Sequence, residues 1–142
     1  MKKIFFACSL SLCFFISASA QSGDEKAIRS SLEKQRMAWN AGDLNTFMST
    51  YWQSDSLMFI GKSGITYGWQ KTLDNYKKNY PDTAAMGKLD FNILEVKKLS
   101  DVYFFVIGKW YLTRSIGNVG GHFTLLFKKL NNKWVIIADH SS

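Results

Sequence analysis

What this sequence lacks narrows it first. Its 142 residues include two cysteines, one proline and two histidines. Both cysteines, Cys8 and Cys13, fall within the opening block from Met1 to Ala20, so the rest of the chain can form no disulfide. Thiol chemistry and a cysteine–zinc site are thereby excluded from it. With so few histidines, a metal site would need carboxylates at helpful spacing, and no H-x-x-x-H or carboxylate–histidine pattern occurs. A G-x-S-x-G elbow is also missing, which removes the usual signature of a serine nucleophile. The glycine-bearing stretch Gly117-Asn118-Val119-Gly120-Gly121 opens no helix, and so resembles a phosphate-cradling loop only superficially.

The opening block has its own logic. Lys2 and Lys3 supply a positive start, Ile4 to Ile16 is an almost unbroken apolar run, and Ala18-Ser19-Ala20 matches a small-x-small cleavage pattern. These features predict a signal peptide over residues 1–20, with Gln21 as the new N-terminus. A transmembrane anchor is the alternative, but the run is short for about 30 Å of hydrocarbon. A lipoprotein fits poorly, because Cys13 follows Leu12, where a small residue is wanted, and Cys8 comes too early. The expectation is an exported protein, periplasmic or secreted, with no stable membrane anchor after cleavage and one domain over residues 21–142.

The formal charge is +7, of which Lys2 and Lys3 account for only part. The remaining lysines are scattered, six of them as the pairs Lys77-Lys78, Lys97-Lys98 and Lys128-Lys129, and form no helical stripe. A solvated surface explains them better than a nucleic-acid interface.

Along the predicted mature chain, helices come first. Ser22 or Asp24 can cap a helix in which Ile28, Leu32, Gln35 and Trp39 repeat at helical spacing. Gly42 ends it, Asp43 caps the next helix, and Leu44, Phe47, Met48 and Tyr51 carry that helix's stripe. A short hairpin joins Leu57–Ile60 to Ile65–Tyr67 through Gly61 to Gly64. Gly68 opens a third helix with Trp69, Leu73, Tyr76 and Tyr80 on one side, stopped by Pro81. Four strands rich in β-branched and aromatic residues follow, over Lys88–Leu99, Val102–Arg114, Gly121–Leu130 and Lys133–His140. Asn131-Asn132 suits a type I′ turn, because asparagine tolerates positive φ. Helices followed by a long antiparallel meander imply an α+β fold, with three N-terminal helices packed on one face of a strongly curved, cone-shaped antiparallel sheet in a cystatin-like roll.

Alternation in the second long strand puts Val102, Phe104, Val106, Trp110, Leu112 and Arg114 on one face. Tyr103, Phe105, Ile107, Lys109 and Tyr111 fall on the other. Both faces are largely apolar, more than a sheet with one wet side needs, so the outer one is expected to pair two copies of the chain. A bulge that re-aims the alternation is the competing explanation.

Several local sequences, taken with the order of elements, resemble the nuclear transport factor 2-like superfamily and, more narrowly, its SnoaL-like group. They are Trp39-Asn40-Ala41-Gly42-Asp43 with Phe47 and Tyr51, Gly64 and Gly68, Gly108-Lys109-Trp110, Gly120-Gly121-His122-Phe123-Thr124, and the run from Trp134 to Ser142. The resemblance implies a curved sheet wrapped over helices, a pocket at one end, and frequent dimerisation through the sheet. Catalytic members pair a carboxylate base with a tyrosine or a protonated acid. No motif here carries those roles to numbered residues.

Candidate pocket residues follow from strand parity and aromatic content: Trp39, Tyr51, Tyr67, Trp110, Arg114, Phe123 and His140. His140 shares parity with Trp134 and Ile136 and is expected to point into the cone, with Asp139 turned the other way. It would then act as donor or base, or else tie down the chain end through Ser141 or Ser142. His122 is more simply a strand-start histidine. Asp90 is the candidate acid, with a pKa raised by desolvation if the pocket is apolar. The expected function is binding of a small, largely apolar molecule without a cofactor or metal. The alternative is an isomerase- or cyclase-type enzyme moving a proton next to a carbonyl.

Overall fold

The computed structural model describes residues 14–142, with side chains from residue 23 onward. Most of the predicted signal peptide therefore lies outside the described residues. Helix α1 spans Phe14–Asn40 and follows the predicted stripe: Ile28, Leu32, Gln35 and Trp39 are all buried. Neither Ser22 nor Asp24 starts it. Asp24 instead reaches across to the sheet, where its carboxylate accepts from Lys129 Nζ at 2.9 Å and from Trp134 Nε1 at 3.0 Å. That pairing holds the Asp24 carboxyl below its ordinary pKa, the Lys129 bond being the main cause. Among the described residues no helix is long and apolar enough to cross a membrane.

Gly42, at φ 75°, turns the chain into α2 (Leu44–Met48), where Asp43 accepts from the Thr46 amide at 2.9 Å. Strands β1 (Met58–Gly61) and β2 (Gly64–Tyr67) form the short hairpin, and α3 spans Trp69–Asn79. A fourth helix, α4 (Thr83–Met86), was not expected. Pro81 does end α3, but Asp82 starts a new turn by accepting from the Ala85 amide. The meander is β3 (Lys88–Lys98), β4 (Tyr103–Thr113), β5 (Val119–Leu130) and β6 (Lys133–Ser141). Asn131 and Asn132 turn the last hairpin at φ 48° and 60°, as the type I′ reading requires.

The six strands lie in the order β2-β1-β6-β5-β4-β3, in one curved, unclosed sheet. All pairs are antiparallel except β1 and β6, which run parallel. The β1–β2 hairpin docks on the edge of β6 that β5 leaves free. Phe104, Val106, Leu112, Phe123, Leu125 and Phe127 point from the sheet into the same core as Ile28, Trp39, Phe47 and Met48. The fold is α+β, as expected.

Two bulges set the direction of side chains. In β3 the register against β4 shifts between Ile93 and Glu95, leaving Leu94 unpaired. In β6 the pairs Leu126–Ala138 and Phe127–Ile136 leave Ile137 as the extra residue. Inward positions in β6 therefore run Trp134, Ile136, then Asp139, because one inserted residue reverses the alternation beyond it. β4 has no bulge, and its predicted faces hold over Tyr103–Thr113, while Val102 and Arg114 lie beyond its ends.

Gly108 marks a place where this packing is tight. It pairs with Phe123 across the sheet, and a Cβ there would collide with the Phe123 ring and lie 3.0 Å from the Asn92 carbonyl oxygen. Gly108→Ala is expected to lower stability by about 1–3 kcal/mol, the usual cost of overpacking a filled core. Chemical denaturation checks this, and an unchanged midpoint would show that the Phe123 ring has room to move.

Candidate functional site

The inward turn of Asp139 creates the site. Tyr51 follows α2 and lies beside β6, fixed there by Trp52 N–H donating to Ile136 O at 2.9 Å and Ile136 N–H donating to Thr50 O at 3.0 Å. Its hydroxyl donates to Asp139 Oδ2 at 2.6 Å, and Ser141 Oγ donates to Asp139 Oδ1 at 2.8 Å. Tyr76 on α3 and Tyr80 just past its end stack with centroids 6.1 Å apart, and Tyr76 lies beside Tyr51. Trp39 meets Tyr80, Tyr76 and Phe47 edge-on, and its Nε1 donates to Met86 O at 3.1 Å. The tryptophan donor is thus satisfied by the protein, and its ring is fixed.

These groups surround a cavity of about 570 Å³. Its inner part is buried and formed by Trp39, Phe47, Leu112, Phe123, Leu125 and the Tyr51–Asp139 pair. Its mouth is edged by exposed residues from three places: Lys62 and Ser63 on the β1–β2 turn, Asn75 and Asn79 on α3, and Gly120 at the start of β5. The cavity is therefore apolar and aromatic, with a carboxyl at its floor and polar groups at its entrance.

Burial governs the electrostatics. It pushes the Asp139 carboxyl up from 3.8 to about 6, against the opposing pull of the Tyr51 and Ser141 hydrogen bonds and of nearby His140. Burial, then the charge of Asp139, keeps Tyr51 and Tyr76 protonated well above the usual tyrosine range. Tyr80 is raised by burial as well, with Arg114 opposing. Close to neutral pH, Asp139 can hold or release a proton while three phenols around it stay neutral.

The candidate residues divide. Trp39, Tyr51, Trp110 and Phe123 line the cavity, whereas Tyr67, Arg114 and His140 do not. Tyr67 is exposed on β2. Arg114 donates from Nε to Gly117 O at 2.7 Å, beyond the end of β4. His140 is exposed on the outer face, because the extra residue Ile137 exchanges it with Asp139. Asp90 is also on the outside, with a side chain 72% exposed and Arg36 at 4.0 Å, so it is not the pocket acid. His122 is exposed too, and no group of three potential metal ligands occurs among the described residues. Asp139, Tyr76 and Tyr80 were not among the candidates. Asp139 did carry one signal, being the one acid of β6 and following the apolar run Trp134 to Ala138.

Among solved structures, a protein of unknown function from Shewanella oneidensis MR-1, described as NTF-2 like, superposes with a TM-score of 0.81 at 44% identity, over 84% of this chain and 98% of that one. This chain belongs to the NTF2-like family. A ketosteroid isomerase-like protein from Erwinia carotovora atroseptica shares the NTF2-like fold at a TM-score of 0.64, with 17% identity over 82% of this chain and 93% of its own. LinA shares it at 0.75, with 14% identity over 89% of each chain. No family model matches the sequence, and no curated protein does. The likeness reaches the NTF2-like family, and nothing in it singles out the SnoaL-like group.

The raised pKa has a consequence for stability. An acid whose folded pKa is above its unfolded one holds its proton better in the native state. Its contribution is complete below about pH 3.8 and is lost as pH rises through about 6. The difference is worth about 3 kcal/mol. Asp139→Asn is therefore expected to remove a fall in stability across that range, and to be more stable than the unaltered protein near pH 8. Thermal unfolding against pH checks it. Parallel curves for the two proteins would mean that Asp139 is solvated.

Proposed function

We propose that this chain is an exported NTF2-like domain that binds a small, largely apolar molecule in its cavity and pairs with a second copy through the outer face of the sheet. The observation that carries the binding reading is the cavity itself: about 570 Å³, walled by aromatic rings, with the Asp139–Tyr51 pair at its floor. Such a volume lies in the usual range for small-molecule sites, and a few fixed polar groups in an apolar wall are what orient a ligand. Export rests on the pattern of residues 1–20. Its removal would take no core residue, since the first buried side chain among the described residues is Ile28.

The pairing reading rests on register. Tyr67, Met58, Ala138, Leu126 and Phe105 are successive partners across five strands on the outer face, an apolar row that crosses most of the sheet. Pairing through such a face would bring the same patch of each copy together about a two-fold axis.

A second reading has one observation in its favour, the ionisable Asp139 beside Tyr51 and Tyr76. A carboxylate with a pKa near 6 can accept a proton from a carbon next to a carbonyl. A neutral tyrosine can then donate a hydrogen bond to the enolate oxygen. This would make the domain an isomerase- or cyclase-type enzyme with Asp139 as base, in place of His140 or Asp90.

Native mass spectrometry of the protein recovered from its own cells tests the main reading in one measurement. The expected species is a dimer of chains beginning at Gln21 that carries a defined extra mass, and Phe105→Lys is expected to reduce it to a monomer. A monomer in the unaltered protein would refute pairing, and a ligand-free monomer that also takes up no apolar compound would refute binding as well. Ligand-free dimers that take up no apolar compound would leave an assembly module.

A further inference from the structure

The floor of the cavity carries a charge with no opposite charge to meet it. Asp139 is 4% exposed, and no cationic side chain of the described residues forms an ion pair with it. Its oxygens accept one hydrogen bond each, from Tyr51 and Ser141, so each retains a free lone pair. Both donors are neutral. A buried carboxylate in this condition gains more from a cation than from any other partner.

The surroundings point the same way. Trp39, Phe47, Phe59, Tyr51, Tyr76 and Tyr80 place six aromatic rings around the inner cavity. Ring faces attract cations, most strongly where water is excluded. The other charged or titratable side chains near it can be accounted for element by element. Tyr51 after α2, Tyr76 on α3 and Tyr80 just past its end are held neutral by burial. On β6, His140 adjoins Asp139 but is exposed on the outer face. Lys62, at the β1–β2 turn, is exposed at the mouth. Arg114 lies past Tyr80, bonded to Gly117 O. Lys62 sits where solvent and salt screen it, whereas the buried carboxylate of Asp139 is unscreened. The overall positive charge of the chain, spread over surface lysines, acts on approach and not on the choice made inside.

We propose that the cavity selects small organic cations: a protonated amine on an apolar body, its N–H groups bonded to the free lone pairs of Asp139 and its charge faced by the aromatic wall. This rests on the binding reading above and names the class of ligand. An alcohol of the same shape fills the same volume but leaves the carboxylate without a counter-charge. A carboxylic acid of the same shape brings a like charge to it.

The test uses three matched probes, phenylpropylamine, phenylpropanol and phenylpropanoate, titrated calorimetrically into the full protein at about pH 8. The amine is expected to bind at least about tenfold more tightly than the alcohol, and the carboxylate more weakly than either. Lowering the pH to about 5 protonates most of a group whose pKa is about 6, while the amine keeps its charge. Amine affinity is therefore expected to fall about tenfold, with alcohol affinity unchanged. Asp139→Asn is expected to remove both the preference and the pH dependence. If that variant does not fold, the pH series on the unaltered protein decides alone. Equal binding of amine and alcohol, or amine binding that ignores pH, overturns the inference and leaves the binding reading in place. Binding by none of the three overturns both.

Discussion

Ile137 is one residue more than β6 needs to match β5, and the chemistry of the cavity depends on where that surplus falls. Before it, Trp134 and Ile136 point inward; after it, Asp139 and Ser141 do. Without the bulge, the inward positions would be Ala138 and His140, and the floor of the cavity would hold an imidazole instead of a carboxyl. The same insertion places Asp139 opposite Tyr51, whose backbone is already tied to Ile136 and whose hydroxyl is then within 2.6 Å. A local irregularity in one ladder thus decides which ionisable group the molecule buries and which it leaves in water.

The cavity exists because the helices do not fill the concave side of the sheet. A chain with no disulfide after residue 20 has to hold its shape by packing, and here packing is concentrated in edge-to-face aromatic contacts. Trp39 is the centre of them, touching Phe47, Tyr76 and Tyr80, while its Nε1 fastens α1 to the end of α4. Such rings do two things together. They bury large apolar area for the fold and leave rigid faces toward the open volume. At the other end of α1, Asp24 performs a similar fastening on Lys129 and Trp134, so the longest helix is tied to its surroundings at both ends of its packed length.

Much of this was legible in the residues. The stripe Ile28, Leu32, Gln35, Trp39 fixed a helix face because helical period is a property of local sequence. The faces of β4 followed from strict alternation over an uninterrupted ladder. Asn131-Asn132 announced its turn because few residues accept positive φ. What was not legible depended on the partner strand. A bulge is a mismatch between two strands, and nothing in Lys133–His140 alone marks Ile137 as surplus, so His140 and Asp139 were exchanged. Asp90 failed for a different reason. Parity correctly grouped it with Asn92, but which of the two faces met the cavity was not contained in β3 itself. Helix α4 was hidden behind Pro81, since a stop signal for one helix says nothing about a cap, Asp82, beginning another.

Asp139 is the part of this architecture that folding explains least. Burying a carboxyl with only neutral donors for company costs the native state stability at neutral pH, and an amide or an apolar side chain of similar size would fill the position with less strain on the balance of charges. The Tyr51 and Ser141 hydrogen bonds reduce that cost but do not cancel it, since the carboxyl still rests near pKa 6 instead of 3.8. The apolar core of the domain, which includes Trp134, Ile136, Phe127, Phe47 and Leu125, needs no acid. The fold uses this carboxyl as an acceptor for Tyr51 and Ser141 but leaves its charge unmatched, and an unmatched charge lining a cavity is the feature through which a ligand would be read. The same reasoning sets Asp139 apart from Asp24, whose charge is matched by Lys129 and whose role in holding α1 to the sheet is plain from its partners.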